Sequence, residues 1–442
     1  MAFRAGNAFR DVQVLTKEIG PRFAGTEGER RGAEYLAEAF RRGGLEPVLE
    51  PFPILARRIT HQKLEVEGLG EVPCIGNLGS PTGRNTGEGV LTFAETGQEC
   101  DIGKNLADKV LLIFGELGLQ QYKAQMARRP AAIVVVESQL HLHPRRHYVR
   151  PEVVQRYGSV PMVRVDFQTG RRLMEARGKR GKVTVEAQSE DAKAYNVRAD
   201  VEGSERPDEI VVVCGHYDSV HEGPGTLDNA AGAAMVVEVA RHVKEVGTAR
   251  SMRFYAFSGE EQGLYGSIHT VRELRKADKE AKKDKEFVNR GGQTEWDRHR
   301  LCVNLDLQGS LLANSAAWYT GPSDLGASIR LMAAEAGPFH VVHDDVYSSD
   351  NAPYSDGGVP ALSFARTGPL LYYGHTDEDR FEHCEEEGLQ IAGDFIIRWL
   401  DRYVTQALMF PFDREIPPEH RAKLDKYFKD RLLARLDEGL ED

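Results

Sequence analysis

From Tyr195 onward the chain alternates apolar runs of strand length with amphipathic stretches of helical period, and few architectures accept that alternation. Glu209–Cys214, Met252–Phe257, Leu301–Leu307 and Val359–Phe364 read as buried strands, with Ala230–Val246 and Ser323–Ala336 as helices among them. The pattern predicts an α/β fold, a mixed sheet flanked by helices on both faces. In open sheets of this kind a ligand sits beyond the carboxyl ends of the strands. His216, Asp228, Glu261, Asp306 and His375, all of metal-ligand type, fall at or after such ends.

At 442 residues the chain exceeds what one core fills, since single cores stop growing at roughly 250–300 residues. We expect a catalytic domain in two parts, residues 1–57 and 194–405, interrupted by a β-rich insertion at 58–193 and followed by a charged helical tail at 406–442. The first part holds a helix from about Thr26 to Arg42, where Thr26 and Glu29 form a capping-box pattern and Gly43-Gly44 ends the run. Leu45–Leu55 carries two prolines and reads as an edge strand. In the insertion, Val110–Phe114, Ala131–Val136 and Val160–Val165 are short strands among charged turns. It also carries a basic group, Arg145, Arg146, Arg150, Arg171, Arg172, Arg177, Lys179 and Arg180. That group is either a solvated face or a clamp for a carboxylate. In the tail, Leu424, Phe428, Leu432, Leu433 and Leu436 are apolar enough to pack on the body or to form a homodimer contact.

Composition removes several classes of function. No apolar run approaches the ~18 residues of a membrane span, and a net charge of −11 disfavours nucleic acid. The same acidic field favours a cationic group such as a peptide ammonium. Met1–Asp11 has no apolar h-region, and Cys74, Cys100, Cys214, Cys302 and Cys384 are odd in number and scattered. Both observations lead us to expect a cytoplasmic protein. There is no Gly-x-Ser-x-Gly elbow, P-loop or dinucleotide fingerprint. His141, His143 and His147 lie beside Pro144 and several arginines, a poor setting for a separate metal site.

The chemistry is concentrated in five short segments. In Gly215-His216-Tyr217-Asp218, residues two apart in extended backbone point the same way, so Asp218 can steady the His216 ring. Thr226-Leu227-Asp228-Asn229-Ala230-Ala231-Gly232 puts an acid at a helix start followed by small residues that let helix and sheet approach. Alone, Asp228 would be an ordinary N-cap. Glu260-Glu261 after a hydrophobic strand sets two carboxylates side by side, which is costly unless solvent or cations neutralise them. We assign Glu261 as a ligand and Glu260 as the general base toward water. Asn304-Leu305-Asp306 places an acid within an apolar strand, and Gly374-His375-Thr376 brings a second imidazole.

Taken together, Gly215-His216-Tyr217-Asp218-Ser219, Leu227-Asp228-Asn229-Ala230-Ala231-Gly232, Gly259-Glu260-Glu261-Gln262-Gly263, Asn304-Leu305-Asp306, Ser349-Asp350, Gly358-Val359-Pro360-Ala361 and His375-Thr376 resemble the zinc aminopeptidase family called M28. Gly20-Pro21-Arg22 with Gly25-Thr26-Glu27-Gly28 is similar to its N-terminal signature. The resemblance implies a phosphorylase-like α/β domain with two co-catalytic zinc ions, replaceable by cobalt or manganese, and peptide substrates. It implies that His216 and Asp306 hold one ion and Glu261 and His375 the other, with Asp228 bridging. Asp218 would orient His216, and Glu260 would move a proton from water to the leaving amine. Family members often carry a tyrosine directly before the second histidine; here Gly374 intervenes, and Tyr373 is the substrate-binding candidate. The insertion is similar to a protease-associated, or apical, module. A carboxypeptidase-like or deacylating hydrolase shares this metal chemistry. A glutaminyl cyclase needs one zinc, and a transferrin-receptor-like binding protein would have lost the ligands that are intact here.

Overall fold

A computed structural model describes residues 2–95, 106–115, 117–138 and 142–432. Cys100, His141, Leu433 and Leu436 lie outside them. The strands are β1 (Val48–Val66), β2 (Gly70–Val72), β3 (Ile75–Gly76), β4 (Gly83–Ala94), β5 (Lys109–Phe114), β6 (Ala132–Val136) and β7 (Met162–Val165). They continue with β8 (Arg180–Val201), β9 (Arg206–His216), β10 (Arg250–Phe257), β11 (His299–Leu305), β12 (Asn314–Thr320), β13 (His340–Asp344) and β14 (Ala361–Thr367).

All fourteen belong to one mixed sheet in the order β13-β12-β14-β11-β9-β10-β8-β4-β5-β6-β7-β3, with β1 against β8 and β2 against β1. The catalytic half centres on β14, β11, β9 and β10, which are mutually parallel. Their carboxyl ends therefore share one edge. Val211 and Val213 of β9 enter one core and Val212 and Cys214 the other, so the strand is apolar on both faces and its sequence run is unbroken. Helix Ala231–Val246 covers the first face, and Leu264, Ile268 and Val271, around the start of helix Tyr265–Ala281, cover the second.

The two halves are joined by strands rather than by loops. β8 is 22 residues long and pairs antiparallel with β10 near one end, with β4 near the other, and with β1 along most of its length. The expected insertion limits, 58 and 193, fall inside β1 and β8. As expected for a proline-bearing edge, Val48–Ala56 pairs on one side only, with β8. The outlying module is less purely β than expected: parallel strands β4, β5, β6 and β7 are layered with helices Leu119–Arg128, Pro151–Tyr157 and Phe167–Glu175.

Two local expectations change. Thr26 caps helix Glu27–Arg42 by accepting from the Glu29 amide, but the Glu29 side chain turns inward to accept from the Tyr195 amide and the Tyr217 hydroxyl. Half of the capping box is thus given over to tertiary contact. Strand β11 stops at Leu305, because Leu307 adopts a left-handed φ of 56°, so Asp306 leads a turn instead of lying within the strand. In the tail, Leu424, Phe428 and Leu432 pack into the second core of their own chain. Among the described residues no helix is long and apolar enough to cross a membrane.

Candidate active site

His216 ends β9, Glu260 and Glu261 follow β10, and Asp306 follows β11, so three adjacent parallel strands deliver four of the side chains to one edge. Asp228 comes from the loop between β9 and its helix, and His375 from the loop after β14. The distances are short. His216 Nε2 lies 3.2 Å from Asp228 Oδ1, 3.4 Å from Asp306 Oδ1 and 4.0 Å from Glu260 Oε2. His375 Nε2 lies 3.2 Å from the other Asp228 oxygen, Oδ2, and 3.2 Å from Glu261 Oε2. One carboxylate therefore addresses two imidazoles.

Backbone contacts hold this arrangement. Asp218 lies 3.4 Å from His216 Nδ1 through its carboxylate and also accepts from the amides of Glu260 and Glu261, each at 3.2 Å. It thus links the imidazole to the turn that bears both glutamates. Arg22, fully buried, donates to the carbonyls of Tyr217, Leu15, Gly20, Pro224 and Gly225, gathering the segments on either side of His216 and Asp228. Asp379 accepts from the amides of Leu227 and Asp228 at 2.9 and 3.0 Å. Burial and the neighbouring Asp228 charge push its pKa up to about 7. No sequence pattern singled out Asp379, since its partners are backbone amides far away along the chain.

The electrostatics call for cations. Burial first, then the charges of Asp228 and Glu260, drive Glu261 well above the carboxylate range. Burial likewise raises Glu260, with Asp306 and Asp350 adding to it against the opposing pull of His216. Burial opposes the charge on Asp228, but the adjacent His216 and His375 imidazoles hold its carboxyl low. So many desolvated acids around two imidazoles are stable only if protonated or matched by positive charge. His216 Nε2, Asp306 Oδ1 and Glu261 Oε1 are buried without hydrogen-bond partners. Nitrogen and carboxylate donors of this kind fit zinc. Among the described residues three groups have ligand atoms within 4.8 Å of one another, and two of them lie here: His216, Glu260 and Asp306, and Asp228, Glu261 and His375; the third is His143, Asp377 and Glu378.

Beside this cluster lies a cavity of about 740 Å³, within the size range of small-molecule sites. Tyr373 does not border it: its ring stacks on His383 with centroids 4.1 Å apart, because Gly374 and the left-handed His375 turn the chain between them. Tyr347 does border it, next to Asp228, Glu260 and Asp306. Its segment, Tyr347-Ser348-Ser349-Asp350, held no periodic or motif signal at the tyrosine; only Ser349-Asp350 was legible. Of the basic residues in the module, Arg145, Arg146 and Arg150 reach the cavity, whereas Arg171, Arg172, Arg177, Lys179 and Arg180 face solvent.

Comparison with known proteins agrees with this geometry. Residues 196–400 match the model of Peptidase family M28. Aminopeptidase YwaD of Bacillus subtilis (strain 168) is 27% identical over 407 residues, spanning 90% of this chain and 84% of that protein. Carboxypeptidase Q of Mus musculus is 26% identical over 299 residues, 61% of this chain and 62% of that protein. The solved structure of BSAP, a zinc aminopeptidase from Bacillus subtilis, aligns with a TM-score of 0.73 at 25% identity, covering 94% of this chain and 99% of its own. Residues 196–400 are therefore a peptidase family M28 domain.

Proposed function

We propose that the protein is a zinc aminopeptidase that hydrolyses the N-terminal peptide bond of peptides at a site for two divalent cations. The observation that carries the reading is the Asp228 carboxylate, whose two oxygens face separate imidazoles. His216 and Asp306 would hold one cation, Glu261 and His375 the other, and Asp228 both. Cations bound there would polarise the scissile carbonyl and make water acidic enough to attack it near neutral pH.

The chain's own groups complete the chemistry. Glu260 takes a proton from the attacking water and returns it to the departing amine, a role supported by its place on the cavity wall beside His216 and Asp306. Asp218 positions both His216 and Glu260. Tyr347 assumes the part first expected of Tyr373, its hydroxyl donating to the oxygen that gains charge at the carbonyl. Residues 58–193 act as an apical module over the cavity, a reading supported by Leu117, Tyr122 and Arg150 on its wall. Cytoplasmic residence, supported by the buried free thiols of Cys214, Cys302 and Cys384, is the companion inference.

The test is a peptide panel with zinc-loaded protein. Cleavage of free peptides should vanish on N-acetylation and survive C-terminal amidation; the opposite result would make the enzyme a carboxypeptidase. Glu260→Gln should keep its zinc while turnover falls by roughly 10²–10⁴-fold, the span for loss of a general acid/base. Near-normal turnover would remove Glu260 from the mechanism.

A further inference from the structure

The cavity is lined by basic as well as acidic groups. Arg146 and Tyr148 come from the outlying module and His221 from the catalytic half, and all three border the cavity. Arg146 is 8% exposed. Its nearest acids, Asp377 and Glu222, stand 3.6 and 3.9 Å away, beyond hydrogen-bond reach, and its buried Nε has no acceptor among the described residues. Tyr148 Oη and His221 Nε2 are also buried without a partner. Burial and the Arg146 charge hold His221 neutral, its pKa lowered to about 3. Burial raises the Tyr148 phenol, which stays protonated and able to donate.

These three groups are a built constellation. Phe23 sets the Tyr148 and His221 rings edge-on, each with centroids 6.0 Å from its own. The Arg146 amide donates to the His375 carbonyl at 2.7 Å, which ties the segment bearing Arg146 to the loop bearing His375. A buried guanidinium Nε left without an acceptor is costly, and a carboxylate matches the planar fork while leaving room for a phenol to donate as well. The cavity is thus lined both by carboxylates and by a buried guanidinium, as a zwitterionic peptide carries both an ammonium and a carboxylate.

We propose that Arg146, with Tyr148 and His221, forms a subsite for a substrate carboxylate, so that this peptidase prefers short peptides carrying one. The proposal rests on the aminopeptidase reading above. The carboxylate can be the peptide's C-terminus or an acidic side chain on either side of the scissile bond, and the test separates these sources.

With zinc-loaded protein, kcat and KM are measured for Leu-Gly, Leu-Gly-amide, Leu-Glu-amide and Glu-Gly-amide. At least one carboxylate-bearing peptide should exceed Leu-Gly-amide roughly tenfold in kcat/KM, chiefly through KM, and which one does so identifies the source. Arg146→Gln should bring that ratio close to one, Arg146→Lys should leave part of it, and Tyr148→Phe should lower it less. Wild-type ratios within about twofold of one would overturn the subsite even if the variants fail to fold, as would a ratio that Arg146→Gln leaves intact. If none of the four peptides is cleaved, the aminopeptidase reading itself is at fault.

Discussion

Asp228 bears the heaviest demand of any single side chain, because each of its oxygens serves a different imidazole. Asp228→Ala should therefore cut bound zinc well below two ions per chain by elemental analysis, and an unchanged content would reject the shared role. His216, Asp228, Glu261, Asp306 and His375 were legible because each lies in a short motif at a strand end, and all five converge. Asp379, Arg22 and Tyr347 were not legible in these roles, since their partners are remote in sequence or are backbone groups. Glu29 belongs with them. Burial lifts its pKa to about 7, against hydrogen bonds from Tyr217 and Tyr195 that favour the charged form. The folded chain thus holds this proton more tightly than the unfolded one. That contribution to stability is complete below about pH 4.5 and is lost as pH rises through about 7. Glu29→Gln should flatten the denaturation midpoint between about pH 5 and pH 8, a difference on the order of 3 kcal/mol. An unaltered pH profile would assign the effect to another group.

Among elements, helix Ala231–Val246 does most to fix the site, because it lies so close to β11. A Cβ on Gly232 would stand 2.3 Å from the Leu305 carbonyl and 2.2 Å from Asn229 Oδ1, so only glycine fits there. Asn229 in turn donates to that same Leu305 carbonyl, one residue before Asp306. Gly232→Ala should lower stability by about 1–3 kcal/mol and weaken zinc binding as Leu305 is displaced. Calorimetry and zinc titration would read both, and wild-type values in each would contradict the packing argument. Strand and helix positions in this half followed from periodicity: Ser323–Ala336 is a helix as expected, and β9, β10 and β14 differ from expectation only at their ends. The misplacements arose where tertiary contact outweighed local pattern, as in the inward turn of Glu29 and the bend at Leu307.

For the molecule as a whole, the segment that carries Leu424, Phe428 and Leu432 is part of the core. Phe428 is 2% exposed among residues that include Trp296 and Tyr354. Phe428→Ala should cost about 3–5 kcal/mol in a denaturant titration, whereas a loss within experimental error would show the tail to be dispensable. The sequence suggested a catalytic domain interrupted by a β-rich insertion; it could not reveal that β1 and β8 run through both, because register between distant strands leaves no local trace. This continuity has a mechanical consequence. A flap carried on flexible linkers swings freely, but a paired ribbon behaves as a cantilever, resisting rotation about its root and yielding mainly by gentle twist. The module that carries Arg146 and Tyr148 is braced in this way, so the stretch of cavity wall they form is set by the continuity of the sheet.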